Sequence, residues 1–184
     1  GACSGTSTCQ LTMSAAKAVT ATFNTAPTCT GIGCAVDDTY IWTMTTSNAN
    51  PFYSQTIYKS GQSGTSAAQS GTTADYGSTC MNTTITGAGT LYYIWSVSSE
   101  LNYDFLNLYV DNVLVDWISG NLVQYNIWNS GTYPIFYGGS HQISFCYKKD
   151  MSEADYLDSG FVDSFNFVPF GNTAVNKGGS LHAR

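Results

Sequence analysis

Between residues 80 and 170 the chain is a succession of short alternating runs, each closed by turn residues. That spacing suits an antiparallel β fold and little else. "CMNTTIT" (80–86) is followed by "GAG" and then by "LYYIWSVS" (91–98). "YDFLNLYVDNVLVDWIS" (103–119) reads as a hairpin turning at Asp111-Asn112, since both residue types tolerate the left-handed backbone that tight turns demand. "LVQYNIW" (122–128), "HQISFCYKK" (141–149) and "GFVDSFNFVPF" (160–170) complete the series of expected strands. Alternation places Leu91, Tyr93, Trp95 and Val97 on one face, and Ile143, Phe145 and Tyr147 on another. The expected class is all-β, a sandwich or barrel with a short N-terminal β-hairpin appendage.

Composition agrees. Aromatic residues make up 14% of the chain, with 13 Tyr and 4 Trp, and 18 Gly supply turns. Charged residues reach only 10%, 12 acidic against 6 basic, for a net charge of −6. A nucleic-acid partner would call for a basic footprint, which this balance excludes. No apolar run is long enough to span a membrane as a helix, so no membrane insertion is expected.

The cysteines sort by distance. Cys3 lies close to Cys9, Cys29 close to Cys34, and Cys80 and Cys146 remain, 66 positions apart. Six cysteines allow many connectivities, and proximity favours 3–9, 29–34 and 80–146. A zinc site built from the two close pairs is the rival, but one spacer exceeds the usual range, the other is at its upper limit, and no His lies near either pair. Cys146 points away from Phe145, and Cys80 shares parity with Asn82 and Thr84. An outward-facing cross-strand bond would make the strands carrying Cys80 and Cys146 neighbours. Three disulfides imply an extracellular location.

Upstream, residues 8–13 and 18–23 alternate as two strands joined by "SAAK". The expected organisation is a hairpin over 1–28, a linker with a small disulfide loop over 29–36, a sandwich over 37–170 and a tail over 171–184. Within the sandwich "TYIWTMTT" (39–46) opens the first strand, and 47–79 is polar with few strand signals.

Several of these stretches resemble known modules. "TGAGTLYYIWSVSSELNYDFLNLYVDNVLV" (86–115), "DSGFVDSFNF" (158–167) and "SGTSAAQSG" (63–71) together resemble a bacterial secreted jelly-roll module, similar to MAM-like and carbohydrate-binding β-sandwiches. The chain departs from the module's wording at Cys80, at Cys146, and at Phe161, where a tryptophan is usual. "CSGTSTCQLTMSAAKAVTATF" (3–23) resembles the C-terminal half of a bacterial cell-surface β-repeat. The resemblance implies a bacterial cell-surface setting. It also implies a structural calcium held by Asp163 in the last strand with Asp37 and Asp38 before the first. A second acidic group, Asp150, Glu153, Asp155 and Asp158, reads as a solvated loop.

Catalysis finds little support. His141 opens a strand, His182 sits in a Gly-flanked tail, and Glu100 with Asp104 is the nearest approach to a carboxyl pair. Two functions of different class follow. The first is a structural or adhesive surface module that self-associates by β-strand pairing through the hairpin, using Leu11, Met13, Val19 and Phe23. The second is a carbohydrate-binding module whose glycan ligand stacks on exposed aromatics. Tyr53, Tyr58, Tyr76, Tyr103, Tyr125, Trp128, Tyr133 and Tyr137 are the candidates.

Overall fold

A computed structural model describes residues 31–36, 43–61, 65–152 and 154–171. The hairpin residues Leu11, Met13, Val19 and Phe23 lie outside these, as do Cys3, Cys9, Cys29, Asp37, Asp38, Glu153 and His182. Among the described residues a single helical turn, α1 (Ile32–Ala35), is followed by ten strands. They are β1 (Thr45–Thr46), β2 (Tyr53–Gln55), β3 (Ala67–Gln69), β4 (Ser78–Thr86), β5 (Gly89–Ser98), β6 (Phe105–Val110), β7 (Val113–Ser119), β8 (Asn129–Ile135), β9 (Ser140–Lys148) and β10 (Ser159–Pro169). One five-stranded sheet runs β1-β4-β9-β6-β7 and the other β2-β3-β10-β5-β8, antiparallel throughout. From β3 onward successive strands alternate between sheets in jelly-roll order, except that β6 and β7 form a hairpin within one sheet, and β1 and β2 extend one edge of each.

The core forms because the inward parity of each long strand is apolar. Leu91, Tyr93, Trp95 and Val97 are almost wholly buried, and so are Ile143, Phe145 and Tyr147. Each such side chain contributes about 1.5–3 kcal/mol by leaving water. Phe145 stands at the centre, edge-on to Tyr93 (5.7 Å), Trp95 (6.1 Å) and Phe165 (6.1 Å). The Tyr93 hydroxyl donates to Asp116 Oδ2 at 2.5 Å, so the ring's polar end is satisfied. Gly131 pairs with Tyr93, and a Cβ there would stand 2.1 Å from the ring, so only glycine lets β8 cross it.

The 111–112 turn forms as expected, with Asp111 (φ 51) and Asn112 (φ 66) both left-handed. Cys80 and Cys146 form a disulfide between directly paired residues of β4 and β9, with a Cα–Cα distance of 4.1 Å. Cys34 is also disulfide-bonded.

Two expectations need correction. Residues 122–128 are not a strand. Val123–Tyr125 is a 3-10 turn closed by Asn126 at φ 55, and the strand begins at Asn129. The run's apolar residues cap the sandwich instead, Val123 buried and Leu122 packed against the core. β8 escaped notice because it carries Gly131 and Pro134. As the outermost strand of its sheet it tolerates a residue with no N–H. The polar stretch 47–79 does hold strands, β2 and β3, too short to show a period.

His141 is a clamp at the tight-turn end. Its Nδ1 lies 2.7 Å from Asp111 Oδ2 and its Nε2 3.0 Å from the Tyr137 carbonyl, so both nitrogens face acceptors, as an imidazolium requires. The Asp111 hydrogen bond raises the His141 pKa and, reciprocally, lowers that of Asp111. Stability lent by His141 is therefore complete below its ordinary 6.5 and is lost as pH rises through the raised value. The share from Asp111 is complete above its ordinary 3.8 and is lost as pH falls. The melting temperature should form a plateau between those limits. His141→Gln should remove the fall on its alkaline side, which a pH series of thermal melts will read.

Candidate functional site

From β3 onward the strand order sorts the connections by length. At one end of the sandwich lie tight links, 87–88, 111–112 and 136–139. At the other lie the long ones: 70–77, 99–104, 120–128 and 149–158. Long loops held on a rigid sandwich are where binding surfaces are usually built.

Each of the four long connections carries one exposed tyrosine. Tyr76, Tyr103, Tyr125 and Tyr156 are 72%, 57%, 72% and 65% exposed. Tyr76 (φ 57) and Tyr156 (φ 61) occupy the left-handed region, rare for a bulky residue and costing of order 1–3 kcal/mol. The surroundings hold them there. The Tyr76 amide donates to the Asp150 carbonyl (2.6 Å) and the Gly77 amide to the Ala74 carbonyl (2.8 Å). A Cβ at Gly77 would collide with Thr73 and Ala74. The Asp158 amide closes the turn around Tyr156 on the Asp155 carbonyl (3.1 Å).

Beneath the tyrosines the loops are joined by a buried polar network. Lys149 Nζ donates to both oxygens of Asp158 (2.8 and 2.7 Å) and lies 3.5 Å from Asp104 Oδ2. The Lys149 and Asp104 side chains are 1% and 0% exposed. The Tyr147 hydroxyl donates to Asp158 Oδ1 at 2.7 Å, and the Asp150 amide to Asp104 Oδ1 at 2.9 Å. Desolvation raises the Asp104 pKa against the pull of Lys149. Desolvation also works to lower that of Lys149, but the Asp158 hydrogen bond and the two carboxylate charges outweigh it, and the ammonium is held. Burial, with Asp158 beside it, drives the Tyr147 phenol far up. The fourth loop joins through Ser98, whose hydroxyl donates to Asn121 Oδ1 (3.0 Å) and accepts from the Leu157 amide (3.1 Å).

This corrects the reading of 150–158 as a solvated acidic loop: Asp158 is buried and ion-paired, because the loop folds back over Lys149. Asp104 is likewise committed, its Oδ1 accepting from the Asp150 amide and its Oδ2 ion-paired with Lys149 at 3.5 Å. Among the described residues no group of three or more His, Cys, Asp or Glu is arranged to hold a metal.

The other aromatic candidates disperse. Tyr58 and Trp128 pack edge-on to Phe161 (5.6 and 6.5 Å), which is fully buried. Tyr133 packs against the core. Tyr53 is 46% exposed on the edge strand β2, and Tyr137 lies at the tight-turn end. Tyr156 was not among the candidates, because the charge of its loop drew the reading away from its ring. "DYLD" (155–158) was the available signal, an aromatic set in a turn-forming acidic segment.

Asp163 is fully buried at a bulge in β10, where pairing with β5 skips from Val162 to Ser164. Its Oδ2 accepts from the Ser60 amide, and its Oδ1 has no hydrogen-bond partner among the described residues. That donor-poor buried carboxylate oxygen fits a hard cation.

No protein-family model matches the chain, and no curated protein matches it in sequence. Solved structures align with part of the chain. The secreted serine protease VesC from Vibrio cholerae is 15% identical with a TM-score of 0.48, over 66% of this chain and 24% of the protease. The chain thus spans about a quarter of that protein. A CBM35 from Paenibacillus barcinonensis is 13% identical with a TM-score of 0.43, over 69% of this chain and 93% of that one. TmCBM61, solved in complex with β-1,4-galactotriose, is 11% identical with a TM-score of 0.43, over 71% and 90%.

Proposed function

We propose that this sandwich is an extracellular carbohydrate-binding module that takes a glycan at its long-loop end. One observation carries the reading: each of the four long connections presents an exposed tyrosine, two of them in a strained backbone conformation that the loops maintain. Tyrosine offers a flat apolar face to a sugar ring and a hydroxyl to its rim, at low entropic cost. Strain kept at an exposed ring is explained by use of that ring. The Cys80–Cys146 crosslink supports export to an oxidising compartment. The self-association reading rests on residues 1–28, outside the described structure. Among the described residues no helix is long and apolar enough to cross a membrane.

The test separates binding from folding. Tyr76→Gly and Tyr156→Gly remove a ring and relieve the positive-φ strain together. Each should leave the melting temperature unchanged or raise it. Each should weaken glycan affinity by about 1–2 kcal/mol, roughly 5- to 30-fold, by calorimetry on an array-selected ligand. An array with no hit for the intact protein would sink the proposal.

The calcium reading attaches to Asp163, supported by its buried Oδ1. Chelation should lower the melting temperature, calcium should restore it, and Asp163→Asn should abolish the response. A melting temperature indifferent to chelator would exclude a structural ion there.

A further inference from the structure

We infer that the loop-end site selects by charge: it takes amine-bearing and neutral saccharides and rejects uronate and sulfated ones. This rests on the glycan-binding reading above and goes further, to the class of sugar. The four connections carry Asp75, Glu100, Asp104, Asp150, Asp155 and Asp158. Against them stand Lys148 and Lys149, the only cations at this end among the described residues. Lys149 cannot meet a ligand, since its ammonium is buried between Asp158 and Asp104. Lys148 lies at the end of β9 with the parity of Cys146, directed to the outer side of its sheet, opposite to Tyr147 and Lys149.

An anionic sugar stacked on these tyrosines would therefore meet carboxylates, while Lys148, the one exposed cation at this end among the described residues, is turned to the outer side of its sheet. Recognition of carboxylate and sulfate groups ordinarily relies on ammonium or guanidinium donors, arginine above all. An amino sugar meets the opposite situation. Its ammonium gains from the half-buried Asp150 and Asp155 and the exposed Asp75, and from the negative faces of the tyrosine rings. Lys149 holds the loops together by offsetting one of the two buried carboxylate charges, while the rim stays acidic.

The experiment is a glycan array of matched sets, each with the same backbone, linkage and length in hexose, hexosamine and hexuronate form, probed with the intact protein. Across binding sets the hexosamine should match or exceed the hexose. The hexuronate should bind roughly tenfold or more weakly at low salt, with the gap closing at about 0.5 M salt. The double variant Asp75→Asn/Asp155→Asn should narrow the gap without altering the melting temperature. Hexuronate binding equal to that of its matched hexose overturns the charge rule and leaves the glycan reading standing. An array with no binding, or binding unmoved by Tyr125→Ala and Tyr156→Ala, overturns both.

Discussion

Replacing Lys149 by methionine should destabilise the sandwich by about 3–5 kcal/mol, the usual consequence of removing one partner from a buried ion pair. The lysine side chain is 1% exposed and faces two carboxylates, of which Asp104 is fully buried. Without the ammonium both must stay charged in a poorly solvated site or take up protons. The loss should accordingly be largest near neutral pH and shrink in acid. A carboxyl whose folded pKa is raised, as desolvation already raises Asp104, gives up stability as pH climbs through that value, and removing Lys149 raises it further. Urea denaturation of the variant at neutral and acid pH reads both effects. Adding Asp104→Asn and Asp158→Asn to Lys149→Met should recover part of the loss, because amides can be buried without a counter-charge. A neutral-pH loss under about 1 kcal/mol would mean that solvent, not Lys149, satisfies the carboxylates. The damage should spread along the network. Asp150, whose amide binds Asp104, also accepts from the Tyr76 amide. Hydrogen exchange at Tyr76 and Leu157 should therefore quicken before the core strands respond.

What the sequence discloses follows from how local the determining physics is. The 103–119 hairpin was legible because Asp111 and Asn112 state their backbone preference within two residues, and alternation on either side sets the register. The disulfide was legible because parity decides which way Cys80 and Cys146 point, and only neighbouring strands satisfy both. The 122–128 segment misled because Val123 and Ile127 look like strand residues, while the feature that ends the turn is one left-handed Asn. β2 and β3 are three residues each, and Ala67 and Ala68 are buried by close sheet packing, not by size. The candidate site was the least legible. Tyr76, Tyr103, Tyr125 and Tyr156 are far apart in the chain, and only the jelly-roll order brings their loops to one end. Apart from the acidic turn around Tyr156, nothing in their own neighbourhoods marks them apart from Tyr133, which packs against the core, or Tyr137, which is exposed at the wrong end.

Opening the Cys80–Cys146 bond, as Cys80→Ala/Cys146→Ala, should cost about 4 kcal/mol, the chain-entropy value for a loop of this size. The native strands need the bond little. Cys80 and Cys146 are one pair in a β4–β9 ladder that runs unbroken from Ser78–Lys148 to Thr86–Ser140. The contribution should then come from the unfolded chain, where 66 residues of separation must otherwise be closed before β4 and β9 can meet. That assigns the effect to a rate. β4–β9 pairing is non-local, and non-local pairing is what slows folding in sandwiches of this kind. Breaking the crosslink should slow refolding by roughly two to three orders of magnitude if most of the 4 kcal/mol falls on that step, and leave unfolding nearly unchanged. Lys149→Met should show the reverse partition if its buried pairs form after the main barrier, with faster unfolding and little change in refolding. Stopped-flow chevrons of both variants decide the matter. A disulfide variant whose loss sits in the unfolding arm would place its role in native packing beside Asn107, the residue paired with Cys146 on β6, instead of in the closure of the chain.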